Sequence, residues 1–452
     1  IYWSSPIQGF AVSTLPSSHR FEWSPTAANA NSTQGNWLTA SGTMLTAKGY
    51  IARASNGATT AAALPVTFQG GEPNNGIVSV GISRGDTTGT DDCWNLIGNP
   101  YPSAISANSL VTENTSIEGS VRLWTHSSIP TTSNGSPFYQ NYVYNYSDSD
   151  YIVSNGTGST IPGVFDGNIA SGQGFFVRML EAGETDVNPP INTTTSGSST
   201  ITFKNSYRRT AGGAVYDNSS FFKNSTTSTS VDQSRIWLDL ISPNSVLTRT
   251  LVGYVPGATL AKDRMYDALI EVDSYKLYSL INTQKQTIQG RPVPFDTNDL
   301  VPLGMFIQIA GNYTIAIASV DGLFSDISQN IYLEDKLLNL IHDLRLVPYT
   351  FTTTIGEFND RFVLRYTNTT LSNPEFESTN GLVIVSNNRV TLSASENIKS
   401  VIVFDLLGRV VYTKNKINTT EVILDKLIPT REALIVKTTF ENGKVVTKKI
   451  LF

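Results

Sequence analysis

Apolar residues along the chain recur mainly at every second position, in short runs separated by clusters of Gly, Ser, Thr, Asn and Pro. Such alternation places successive side chains on opposite faces of a pleated strand, so GIVSVGISR (76–84), SVRLWTH (120–126) and GQGFFVRML (172–180) predict short antiparallel strands. In RIWLDLI (235–241), Ile236, Leu238 and Leu240 share one face and Trp237, Asp239 and Ile241 the other; NYTIAIASV (312–320) and RFVLRYT (361–367) add further strands. Three prolines in GRPVPFDTNDLVPLG (290–304) argue against a central strand and predict a surface loop. One segment breaks the period. Leu333, Leu337, Leu338, Leu340, Ile341 and Leu344 follow helical spacing, but the charged triplet Glu334-Asp335-Lys336 suits a turn and PYTFTTT (348–354) follows. These neighbours predict a hairpin instead.

The last eighty residues are the most regular. Here VIVSNNRVTLSAS, SVIVFDLLGRVVYT and ALIVKTTFENGKVVTKKILF each read as strand, turn, strand. Asn442-Gly443 predicts a two-residue type I′ turn, because both residues tolerate positive φ. That register sets Glu441 against Lys444, Phe440 against Val445 and Lys437 against Lys448, the last a like-charge pair that a solvated face tolerates. Asp405-Leu406-Leu407-Gly408 predicts a type I turn, with Asp opening it and Gly in the left-handed closing position.

Composition narrows the class. Lys plus Arg number 32 and Asp plus Glu 37, a formal charge of −5, and only 15% of residues are charged, which excludes a basic nucleic-acid surface. Cys93 is the single cysteine, so neither an internal disulfide nor a thiolate zinc cage can form. No stretch approaches the ~20 apolar residues of a membrane helix. The start IYWSSPIQGF has no leader-like pattern and reads as the processed or truncated beginning of a longer exported protein. The prediction is an all-β chain of tandem antiparallel β-sandwich domains, Ig-like or jelly-roll-like, over 1–205 and 206–372, ending in a small β-sandwich over 373–452. The first boundary follows the loop-like PPINTTTSGSST (189–200), and a faint duplication links KGYIARAS (48–55) with QGFFVRML (173–180).

VIVFDLLGRVVY (401–412), ALIVKTTFENGKVV (433–446) and the ending TKKILF (447–452) together resemble the carboxy-terminal sorting domain of the type IX secretion system of Bacteroidota. Ser372-Asn373-Pro374 and Arg431-Glu432-Ala433-Leu434 stand where the commonest form of that signal has other residues, so the chain is more similar to the subclass called type C. WNLIGNPYPSAI (94–105), SGQGFFVRM (171–179), TLVGYVPGAT (250–259) and GEFNDRFVLRYTN (356–368) also resemble regions preceding such signals in large flavobacterial surface proteins. The resemblance implies export through the periplasm to the cell surface or beyond, with the translocon and its outer-membrane shuttle protein as partners. It marks Asp405, Gly408, Arg409, Asn442, Gly443, Lys448, Lys449 and Ile450 as recognition residues. Asp405, Gly408, Asn442 and Gly443 equally suit plain turn chemistry, whereas turns and cores do not require Arg409, Lys448 or Lys449.

No catalytic constellation stands out. His19, His126 and His342 are far apart without ligand-spaced partners, and no Walker, G-x-S-x-G or H-E-x-x-H context occurs. Asp91-Asp92 and Asp148-x-Asp150 read as loop acids rather than a glycosidase pair. No cofactor is expected; Asp296-Thr297-Asn298-Asp299 and Ser147-Asp148-Ser149-Asp150 carry the oxygen atoms a structural calcium would need, without the EF-hand pattern. Trp94, Trp124, Tyr139, Tyr142 and Tyr144 are candidates for stacking on surface glycans, the basis of a second reading as the carbohydrate-binding portion of a larger enzyme. The first reading is a non-enzymatic, adhesin-like surface protein.

Overall fold

The alternating runs become strands almost throughout, and the chain is nearly all β. The computed structural model describes residues 2–16, 19–29, 32–52, 66–87, 91–125, 150–181, 184, 195–209, 233–270, 276–368, 382–386, 389–429, 433–443 and 445–452. Backbone packing divides the chain into two units, Ile1–Asn368 and Thr369–Phe452.

Within the larger unit, Ser234–Ile241 shows how alternation sorts side chains. Ile236, Leu238 and Leu240 enter the main core, while Trp237 packs on the opposite face with Val153, Leu251, Ala268 and Ile288. Burying each aliphatic side chain contributes about 1.5–3 kcal/mol. This strand belongs to an 11-stranded sheet that curls into a near-barrel, from Leu340–Asp343 at one end to Tyr349–Thr353 at the other. All its pairings are antiparallel except that of Leu247–Tyr254 with Gln284–Arg291. The two ends are tied by side chains: the Tyr349 hydroxyl donates to Asp335 Oδ2 at 2.8 Å, and Arg361 Nη2 reaches the same oxygen at 2.8 Å. Burial pushes the Asp335 carboxyl up, but hydrogen bonds from Arg361 and Tyr349 outweigh it and hold the group below its usual range.

The leucine-rich segment is a hairpin, Tyr332–Asp335 with Leu340–Asp343. Leu333 and Leu344 are buried, whereas Leu337 and Leu338 on the turn are exposed, so helical spacing was not a buried helical face. The Pro-rich segment needs correcting. Only its middle is a loop, since Pro302 lies inside Leu300–Ile307, a central strand opposite Gly356–Arg365. On its other side the pairing with Lys276–Ile281 begins only at Leu303, so the missing Pro N–H falls where no partner strand needs it. The helix Ala107–Glu113 was not anticipated; the Ser106 side chain caps it by accepting from Ser109 N–H.

Residues 1–205 and 206–368, read from sequence as parts of separate domains, lie in one unit and share hydrogen bonds. Trp237 Nε1 donates to the Ser159 carbonyl (2.8 Å), Arg122 Nη2 to that of Leu269 (2.9 Å) and Arg264 Nη1 to those of Val111 and Ile117 (3.0 Å each).

The smaller unit is one five-stranded sheet shaped as a half-barrel. Its long strand Arg389–Phe404 carries Leu382–Ser386 along its first half and Ala433–Phe440 along its second, with a register shift between Ser393 and Ile398. Val390, Leu392, Val401, Val403, Val436 and Phe440 meet in a single apolar core. The final hairpin corrects the predicted register by one residue: Thr439 faces Val445 and Lys437 faces Thr447, so the two lysines are not opposed. Only Gly443 has positive φ (86°), and its N–H bonds the Phe440 carbonyl at 3.0 Å. The loop therefore has three residues, a type I turn closed by a left-handed glycine, because Asn442 stays out of the left-handed region.

Candidate functional site

The turn after Phe404 is built by its first residue. Asp405 Oδ1 accepts the backbone N–H groups of Leu407 and Arg409, both at 2.9 Å, and Oδ2 accepts Arg409 Nε at 2.6 Å. These contacts, led by the Arg409 backbone N–H, hold the Asp405 carboxyl below its ordinary range. Gly408 closes the turn at φ 79°, donating to the Asp405 carbonyl at 3.0 Å. With both ends fixed, the two central leucines have nowhere to go but outward. Leu406 is 64% and Leu407 81% exposed, and the following Val410 and Val411 are also exposed. The Arg409 side chain stands in solvent at 76% exposure despite its pairing.

Register decides which predicted recognition residues come together. Phe404 lies opposite Ile435, which lies opposite Lys449; Val403, Val436 and Lys448 form the next row. Lys448, Lys449 and Ile450 therefore sit two strands across from the Asp405–Arg409 turn, about 10 Å away at the usual strand spacing. Lys448 is exposed and Ile450 is a core residue, while the Lys449 side chain lies outside the described part. Asn442 and Gly443 belong to the opposite end, beside Ile398, roughly 20 Å distant for six residues of strand. There Asn442 Nδ2 donates to Glu396, and the Glu441 N–H donates to the Asn397 carbonyl at 3.1 Å, which docks that loop on the long strand.

Alongside runs Val410–Ile423, which pairs with Arg389–Phe404 on one side; among the described residues no strand pairs with its other side. Most of its residues are exposed. Lys416 and Asn418 adopt positive φ (57° and 49°), which interrupts the regular edge beyond Asn415. A bulge at Val411, where Phe404 pairs Val410 but Val403 pairs Tyr412, breaks the edge at its other end, so only Tyr412–Asn415 runs in continuous register. Sequence reading missed the exposed leucines and valines, although the turn it placed at 405–408 already set Leu406 and Leu407 at the two central, outward positions.

The larger unit treats the remaining candidates differently. Trp94 is 5% exposed under the Arg122 guanidinium (4.2 Å), and Trp124 packs on Tyr2 and Tyr151. These two are packing residues; Tyr139, Tyr142, Tyr144 and His126 lie outside the described residues. Asp299 is held by Arg291 and accepts the Tyr254 hydroxyl at 2.7 Å, and Asp296 Oδ1 accepts the Asn298 N–H at 2.8 Å, so at the first calcium candidate the Asp299 carboxylate and Asp296 Oδ1 already have partners. Asp92 is fully buried, and burial raises its carboxyl despite hydrogen bonds from Thr87. Asp148 lies outside the described residues. His342 Nε2 lies 2.7 Å from the Val347 carbonyl, in the segment that follows its hairpin. Among the described residues no group of three or more His, Cys, Asp or Glu side chains is arranged to hold a metal, and no helix is long and apolar enough to cross a membrane.

What sequence reading did not find is a buried ionic cluster. Arg178 contacts Glu184 through both Nη atoms, one of them at 3.2 Å, and its Nε lies 3.7 Å from Glu118 Oε2. Lys262 Nζ stands 3.6 Å from Glu184 Oε1. Burial pulls the Arg178 guanidinium down, but Glu118 and Glu184 outweigh it and raise it; Glu184 is lowered in turn, Arg178 overcoming the effect of burial. Arg84 pairs with Glu181, three residues before Glu184.

Comparison with known families gives a match over residues 1–366. The chain belongs to the family described as domain of unknown function DUF8693. Residues 371–452 match a second family, described as domain of unknown function DUF8694, whose limits nearly coincide with those of the smaller unit. No curated protein matches the chain.

Proposed function

We propose that the chain is an exported, non-enzymatic surface protein whose residues 369–452 are a sorting domain of the type IX kind, with residues 1–368 as the delivered part. The observation that carries this reading is the end of the smaller unit where exposed Leu406, Leu407, Val410 and Val411 adjoin the exposed cation Arg409 and the short edge Tyr412–Asn415, with exposed Lys448 two strands across. A partner strand added at that edge gains backbone hydrogen bonds, the apolar tip supplies burial, and the cations select an acidic counterpart. Asp405 and Gly408 act by shaping the turn, Ile450 by holding the last strand to the core, and Asn442 and Gly443 by docking the far loop.

The test is expression of the full chain in a Bacteroidota host with and without a working type IX translocon, beside a version ending at Asn368. Surface appearance of the full chain only with the translocon, and periplasmic retention of the shortened one, is expected. Export of both forms alike sinks the reading.

A further inference from the structure

A half-open pocket of about 330 Å³ lies in the larger unit where Val78–Arg84 pairs with Gly197–Phe203 and the segment after Gly174–Arg178 crosses them. Its buried floor is Arg84, Met179 and Glu181. Thr115, Ser116, Thr195, Ser196, Ser198 and Ser199 bring hydroxyl groups around it. At this volume the pocket falls near the small end of the range of about 300–1,000 Å³ typical of ligand sites.

Arg84 is 5% exposed and contacts Glu181 through Nη2 alone; its Nε and Nη1 have no hydrogen-bond partner in the protein. Unmet donors on a buried guanidinium cost more than neutral ones, so the protein gains when a ligand acceptor meets them. Glu184 also lines the pocket but is committed to Arg178 and accepts the Glu181 N–H at 3.1 Å. Charge selects the class of acceptor. Arg84, Arg178 and Lys262 are matched by Glu118, Glu181 and Glu184, with Asp92 acting on the same group. An added anion would meet no uncompensated positive charge, and its desolvation would go unrepaid.

We infer that this pocket binds one neutral, hydroxyl-rich small molecule of about monosaccharide size, with hydroxyl oxygens accepting from Arg84 Nε and Nη1, the Ser and Thr hydroxyls completing the polar contacts, and the ring C–H face resting on Met179 and Leu180. The site lies wholly in residues 1–368 and does not depend on how residues 369–452 are read.

Calorimetric titration of the full chain with glucose, galactose, mannose and N-acetylglucosamine, with galacturonate as the anionic comparator, tests it. Saturable one-to-one binding of at least one neutral sugar is expected. Arg84→Lys keeps the charge facing Glu181 but loses the planar fork of donors, and should weaken binding at least about tenfold. Thr115→Trp, at an exposed rim position that tolerates change, should weaken it comparably by narrowing the mouth, which guards against Arg84→Lys acting through misfolding. Absence of saturable binding would mean that water alone satisfies Arg84 and would overturn the inference. So would preferred binding of galacturonate, or sugar binding that neither variant alters.

Discussion

In residues 1–368 the guanidinium groups of Arg84, Arg178, Arg291 and Arg365 are buried against carboxylates, whereas in residues 369–452 those of Arg409 and the ammonium of Lys448 stand in solvent. The smaller unit's core is apolar, and Asp405 is its only buried charged residue among those described. The two units thus place charge for different ends. Buried pairs fix where strands of a large curled sheet may meet, because a mismatched partner would leave a desolvated charge; Arg361–Asp335–Tyr349 across the near-barrel ends is such a lock. The small sheet is held by packing and two glycine-closed turns, which leaves Arg409 and Lys448 in solvent.

Glu184→Ala should break this contrast most severely. It strips Arg178 of its main partner and Lys262 of its neighbour, for an expected loss of about 3–5 kcal/mol in the larger unit. All six tryptophans lie in residues 1–368, so urea unfolding followed by tryptophan fluorescence reads that unit alone. Phe440→Ala should cost a similar 3–5 kcal/mol in the smaller unit by opening its core. Hydrogen exchange along 433–440 and 445–451 should accelerate while the tryptophan transition stays in place.

Solution pH should separate the units next. Burial pushes the Asp267 carboxyl up to about 7, against backbone hydrogen bonds from Asp263 and Gly290 that favour its charged form. The folded larger unit then keeps a proton that the unfolded chain loses near pH 4, so its stability falls as pH rises from about 4 to about 7, on the order of 4 kcal/mol, and is level above. Asp267→Asn should flatten that slope. Asp405 is shifted the other way: its contribution to the smaller unit is complete above its unfolded pKa and is lost only as pH falls through the lower folded value. Going from pH 5 to pH 8 should therefore weaken the tryptophan transition and leave the protection of 433–440, measured relative to the intrinsic exchange rate at each pH, unchanged.

Smaller still is Gly408→Ala, expected to cost about 1–2 kcal/mol through left-handed strain alone, since a Cβ there meets no atom within 4 Å. Leu407→Glu should change stability by no more than about 0.5 kcal/mol, because the side chain is 81% exposed, yet it removes part of the proposed docking tip.

Much of the fold was legible because a period of two is a local signal: Ile236, Leu238 and Leu240 declared their shared face, and Asp405 with Gly408 declared the turn. The hairpin at 332–343 was legible only by weighing its neighbours against its leucine spacing. Pro302 misled because tolerance of proline depends on where the adjacent strand ends, a fact of tertiary pairing. Asn442-Gly443 misled because a two-residue and a three-residue loop both accept it, and the choice rests on how Glu441 docks at Asn397. The ionic cluster left no trace at all: Arg178, Glu118, Glu184 and Lys262 are separated by up to 144 positions and follow no spacing rule. At the candidate site the residue types were visible, but not that strand register puts Lys448 at the same end of the sheet as Arg409, two strands across, and sends Asn442 to the far end.

The most direct test of the central claim is the fraction of the full chain carrying Leu407→Glu that reaches the surface of a translocon-competent Bacteroidota host, measured by protease accessibility on intact cells. Unchanged folding with accumulation in the periplasm is the predicted result. Export at the level of the unaltered chain would contradict recognition through the 405–411 tip.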